Sequence, residues 1–92
     1  MRILFHGKKL NRAVAFSMAF GPAAGLEIVD ALRHEPALQS YHLLPAARAD
    51  FLAKLGRRDE ARAELERAAS LTRNVRERRL LLDRAATLVD DG

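Results

Sequence analysis

No cysteine and no tryptophan occur in these 92 residues, and tyrosine occurs once. Without a thiol there is no disulfide framework, no thiolate metal site and no cysteine nucleophile. Aromatic residues make up 5% of the chain, too few to stack a row of bases. Apolar runs are short. The run nearest the start, residues 3–5, falls well below the roughly 7–15 residues of a signal-peptide core. No stretch approaches the roughly 20 apolar residues needed to cross a bilayer, so the expected location is cytoplasmic. Acids are missing from residues 1–20, which carry Arg2, Lys8, Lys9 and Arg12.

What is present describes a small folded domain. At 10.2 kDa the chain has room for one core. Its 49% hydrophobic share is enough to fill that core. The excess of 16 Lys and Arg over 12 Asp and Glu gives a net charge of +4. The pI of about 10.3 raises the question of nucleic acid, but residues 57–71 balance four arginines against four acids. The densest basic group, Arg76, Arg78 and Arg79, is interrupted by Glu77. It reads as a solvated helix face before it reads as a phosphate contact, and sequence-specific DNA binding is not expected. The preference for Arg over Lys, with abundant Ala and Leu, is the usage of a GC-rich genome.

Patterning points to helices throughout. Residues 10–20 are apolar almost all round, Ala-rich and without a β-branched run, which favours a buried helix. Gly21 followed by Pro22 ends it and opens the next. Leu26, Val29 and Leu32, with Ile28 between them, form the stripe of a helix over 22–33, with Glu27 and Asp30 facing away. Residues 34–40, with Pro36, read as a connection. A third helix over 41–55 carries Leu44, Phe51, Leu52 and Leu55 among small alanines, with Pro45 in its first turn. Gly56 ends it. Ala61, Leu65, Ala68 and Ala69 line a fourth over 59–71, with Glu64 and Arg67 on the wet side. Asn74 with Glu77 resembles a capping box ahead of a fifth helix over 75–89, expected to bury Leu80, Leu81, Ala85 and Leu88.

The reading is all-α, about five helices in antiparallel hairpins. Two hairpins turn on Gly21 and Gly56, 35 residues apart, close to the ~34-residue tetratricopeptide period. Laid on that repeat, Gly56 falls at the turn, Ala61 and Ala68 at the small positions of the second helix and Leu65 between them. Ala49 and Leu52 take the small and plug positions of the first helix. Arg48 departs from the pattern, since a leucine is usual there, and Arg73 stands near the usual proline.

Catalysis finds no support. Ser17 and Ser40 have no neighbouring His–acid pair, Glu64 and Glu66 point to different sides of a helix, and Asp90 and Asp91 are tail. There is no glycine-rich phosphate loop. Asp30 and His34 lie one helical turn apart with His42 as a third donor and His6 elsewhere, but no metal-binding string surrounds them. No catalytic, cofactor or metal residue is assigned. Phe16, Met18 and Phe20 read as core, although a first helix left uncovered on one side predicts homo-oligomerisation. Tyr41 with His42 reads as packing against the preceding loop rather than a partner contact.

Five strings carry a more specific likeness: L-N-R-A-V-A at 10–15, G-P-A-A-G-L-E at 21–27, Y-H-L-L-P-A-A-R-A-D at 41–50, L-G-R at 55–57 and E-A-R-A-E-L-E-R-A at 60–68. In this order and spacing the chain resembles the C-terminal tetratricopeptide-like extension of one group of extracytoplasmic-function sigma factors. The resemblance covers about residues 10–86. It divides the chain into an unmatched segment 1–9, a helical domain 10–89 and a tail 90–92. It implies a tetratricopeptide-like superhelix and a regulatory role in transcription initiation, through contacts with sigma domains or RNA polymerase. The promoter-reading sigma domains have no counterpart here. The alternative is a standalone adaptor or homodimer unrelated to transcription. In a tetratricopeptide hairpin the first helix lines the groove, which places Asn11, Arg12, Ala15 and Met18, then Leu43, Ala47, Asp50 and Lys54, as candidate partner contacts. Arg12, Asp50 and Lys54 would set orientation, unless Arg12 and Asp50 instead bridge neighbouring helices.

Overall fold

The computed structural model describes the backbone of residues 2–90 and the side chains of residues 9–88. His6 and the Asp90–Asp91 pair, weighed above, lie outside the described side chains. The chain forms α1 (Arg2–Phe20), α2 (Pro22–Leu32), a short 3-10 turn (Pro36–Leu38), α3 (Leu43–Lys54), α4 (Arg58–Leu71) and α5 (Val75–Asp90). All five expected helices are present, and no strand occurs among the described residues. The first helix begins at Arg2 rather than near Leu10, because residues 3–9 contain no proline or cap to stop it.

Each helix packs against its neighbours in sequence, and the contacts give the direction. Gly25 on α2 faces Ser17 on α1, symmetric about Gly21. Arg48 on α3 meets Glu64 on α4, symmetric about Gly56. Such symmetry is the signature of antiparallel hairpins. Local chemistry closes the turns. Gly21 and Gly56 have φ of 100° and 80°, where a side chain would be strained. At Gly56 the amide donates to the Ala53 carbonyl at 3.0 Å, and that of Arg57 to Leu52 at 2.9 Å. Those two bonds are a Schellman motif, and they satisfy carbonyls that the end of α3 would otherwise orphan.

The core runs through Leu26, Val29, Leu38, Leu44, Phe51, Leu52, Leu65 and Leu81, seamed by Ala13, Ala49, Ala61, Ala68, Ala69 and Ala85. Alanines at 0–3% exposure are what let the helix axes approach closely. Two apolar expectations need correction. Leu80 is 59% exposed, and the burial on α5 belongs to Leu81 and Ala85. Phe16, Met18 and Phe20 are not core. They stand at 43%, 84% and 69% exposure, because α1 has a packing partner on one side and turns Leu10 and Ala13 toward it.

Among the described residues, several polar ties cross between elements. Lys9 Nζ donates to both carboxylate oxygens of Glu35 at 2.7 Å, binding α1 to the α2–α3 connection. Arg48 Nε donates to Asp30 Oδ1 on α2 at 2.7 Å, while its Nη1 lies 3.6 Å from Glu64 Oε1 on α4. Glu64, expected on the wet side, has only 13% of its side chain exposed, because Arg48 holds it inward.

Another tie is the capping box. The Glu77 amide donates to Asn74 Oδ1 at 3.0 Å. The Glu77 carboxylate does not return to the Asn74 amide. It accepts from the Thr72 hydroxyl at 2.7 Å, and Thr72 Oγ1 accepts from the Asn74 amide at 3.2 Å, so the box closes through one extra hydroxyl. His42 Nε2 approaches the same carboxylate at 2.8 Å. The Thr72 bond chiefly holds the Glu77 carboxyl below its ordinary pKa; burial opposes this and His42 reinforces it.

A group depressed in this way stabilises the fold fully above its unfolded value and loses that contribution as pH falls through its native value. Glu77→Gln is therefore expected to cost about 1 kcal/mol at pH 7, at the low end for a bond to a charged group because the site is partly wet. Urea midpoints measured against pH should show the difference closing below about pH 4.3, the ordinary glutamate value. A gap that stays unchanged as pH falls from 7 through the acid range would contradict this account.

Candidate functional site

The α3 candidates fall on one stripe. Leu43 and Lys54 are exposed and Ala47 and Asp50 half-exposed, with Ala47 also packed against the core. Asp50 Oδ2 sits 3.1 Å from Lys54 Nζ within the same helix. On α1, Asn11, Arg12, Ala15 and Met18 are all exposed. Among the described residues Arg12 has no ion-pair partner, and neither it nor Asp50 bridges neighbouring helices. That bracing role belongs to Arg48. Ser17 and Phe51 both lie against Gly25, so α1 and α3 flank α2 at the same level. No hydrogen bond or ion pair among the described residues joins the α1 set to the α3 set.

The most apolar exposed surface lies on α1. Val14 and Met18, at 43% and 84% exposure, lie one turn apart on one flank of the helix, and Phe16 and Phe20, at 43% and 69%, lie one turn apart on the other. The Phe16 and Phe20 rings stack on each other, with centroids 4.6 Å apart, rather than on the core. Four large apolar side chains bare within two turns of helix exceed the scattered exposure normal for a soluble surface. The helix that carries them has no acid anywhere in it.

Other candidates are claimed by the structure itself. Asp30 is held by Arg48 and lies 3.8 Å from Arg33, and His42 faces Glu77. Asp30, His34 and His42 are thus not brought together, and no group of three His, Asp or Glu converges among the described residues. Arg78 spends its guanidinium on the α4 C-terminus, donating to the carbonyls of Ala69 at 3.2 Å and Thr72 at 2.9 Å. Among the described residues, Arg76 and Arg79 of that basic group have no side-chain partner. Tyr41 packs half-buried against the core beside His42. No described helix is long and apolar enough to cross a membrane.

Arg48 is the residue whose role the sequence concealed. Its signal was its place at a position where the repeat calls for leucine, with acids at Asp30 and Glu64 in the adjoining helices.

Among curated proteins, an uncharacterized protein of Rhizobium meliloti (strain 1021) is 41% identical to this chain over 68 residues, covering 74% of the chain and 16% of that protein. The chain therefore spans well under a fifth of the length of the relative it matches. No protein-family model matches the sequence, and no solved structure matches it.

Proposed function

We propose that this chain is a non-catalytic protein-interaction domain, tetratricopeptide-like in its stacking, that acts as the C-terminal regulatory extension of an extracytoplasmic-function sigma factor does, through contacts with sigma domains or RNA polymerase. The observation that carries the reading is the exposure of four large apolar side chains on α1, Val14 and Met18 on one flank and Phe16 and Phe20 on the other. The similarity to one segment of a much longer protein supports a domain that works beside others. The contact set is Asn11, Arg12 and Met18 on α1, with Asp50 and Lys54 on α3 as the charged second stripe.

The charge of α1 favours a different molecule over a second copy. Two α1 faces without acids repel when paired, whereas a partner with acids beside an apolar stripe is attracted by Arg12. The test is retention of RNA polymerase or of separate sigma domains by the immobilised chain. The wild type should retain them, and Met18→Ser with Phe20→Ser should lose most of that binding while its circular dichroism stays unchanged. No retention by the wild type would overturn the reading. The homodimer alternative rests on the same exposed side chains. It would be favoured if sedimentation velocity showed a dimer at micromolar concentration that the double serine variant disperses.

A further inference from the structure

A second surface lies away from α1. The end of α2, the 3-10 turn, the first turn of α3 and the middle of α4 enclose a cleft of about 200 Å³, lined by Arg33, His34, Leu38, Gln39, Leu44, Pro45, Glu64 and Arg67. Its floor is apolar and fixed: Leu38 is 1% and Leu44 5% exposed, and Pro45 is buried. Its rim carries two cations, Arg33 and Arg67, with His34 beside them, all three exposed. The rim's one carboxylate, Glu64, is turned toward Arg48. The carbonyls at the end of α2 do not offset this charge, because the following turn consumes them. Gln39 Nε2 donates to the Arg33 carbonyl at 2.8 Å, and the amides of His34 and Glu35 take those of Ala31 and Leu32. Arg67 has no side-chain partner among the described residues, and Arg33 has only the 3.8 Å approach to Asp30.

We infer that this cleft docks an acidic peptide segment whose carboxylates meet Arg33 and Arg67, with the side chain between them entering the cleft above the buried Leu38, Leu44 and Pro45. The volume decides between ligand classes. It is below the roughly 300–1,000 Å³ of small-molecule sites and suits a single anchoring side chain. The charges then select the neighbours of that anchor, and the planar guanidinium groups suit carboxylates in particular. The inference does not depend on the reading of α1, since the cleft uses none of its residues.

The probe is the peptide Ac-Glu-Asp-Leu-Glu-Asp-NH2, titrated into 15N-labelled full chain and followed by amide shifts, with Ac-Gln-Asn-Leu-Gln-Asn-NH2 as its neutral counterpart. Saturable shifts are expected at Leu38, Gln39, Leu44 and Arg67, with the neutral peptide at least tenfold weaker. Arg33→Glu with Arg67→Glu should abolish binding while leaving the unperturbed spectrum folded. Leu44 is left unchanged because it belongs to the core. The inference is overturned if no saturable shift appears, if the neutral peptide binds equally well, or if the shifts map to α1 instead.

Discussion

Gly25→Leu is expected to lower the stability of this domain by more than about 3 kcal/mol, the upper end of ordinary overpacking. The position looks permissive in sequence, since a glycine inside a helix costs about 1 kcal/mol relative to alanine and invites replacement. The structure reverses that expectation. A Cβ built on Gly25 would lie 2.7 Å from Ser17 Cβ on α1 and 2.8 Å from Phe51 Cζ on α3. Three helices meet at this one point, and Phe51, at 2% exposure, has nowhere to go. Even Gly25→Ala should cost about 1–2 kcal/mol net, because the clash exceeds the gain in helix propensity. Ser17→Gly removes one of the two obstructions. A double-mutant cycle in urea should therefore show favourable coupling of at least about 0.5 kcal/mol between positions 17 and 25. Additive behaviour would mean that α1 and α2 do not cross there. A gain in stability from Gly25→Ala alone would contradict the packing outright.

The second large effect concerns Arg48. Removing one member of a buried ion group costs about 3–5 kcal/mol, because the remaining charge stays desolvated. Here Asp30 is 44% exposed and Glu64 13%, so the penalty falls mainly on Glu64. Arg48→Leu should cost about 2–3 kcal/mol, or roughly 10–20 °C in melting temperature for a domain of this size. The discriminating variant is the double change Arg48→Leu with Glu64→Leu, which removes the stranded carboxylate and restores the apolar plug that the repeat pattern calls for at position 48. It should return to within about 1 kcal/mol of wild type. Arg48→Lys is not expected to rescue, because one ammonium does not span Asp30 on α2 and Glu64 on α4 together. If the double variant is no more stable than Arg48→Leu alone, the triad does not hold the three helices as described.

Much of the architecture could be read in advance, because its signals are local. Gly21 with Pro22, Gly56, and Asn74 with Glu77 each mark a helix end through the conformation or hydrogen bond of one or two residues. The small–large alternation of Ala61, Leu65 and Ala68 likewise betrays a close helix crossing. The surfaces were harder. Residues 10–20 are apolar on every side, so periodicity has no phase to report, and Phe16, Met18 and Phe20 looked like core when α1 has cover on one side only. The run Leu80–Leu81–Leu82 is ambiguous for the same reason, and α4 selects Leu81 from it. Leu43, Ala47, Asp50 and Lys54 lie along one stripe of α3, the first and last exposed and the middle two partly so. The cationic cleft was invisible, since its lining comes from four separate stretches of chain.

By itself, then, the sequence determined that the described residues form five helices, where the turns fall and which alanines seam the hairpins, because propensity, capping and glycine conformation act over a few residues. Only the tertiary structure decided which side chains of α1 stay bare, that Arg48 gathers Asp30 and Glu64 from two other helices, and that Arg33 and Arg67 share a rim. Each of those depends on which surfaces meet across long separations in the chain, and burial is a property of the neighbour as much as of the residue.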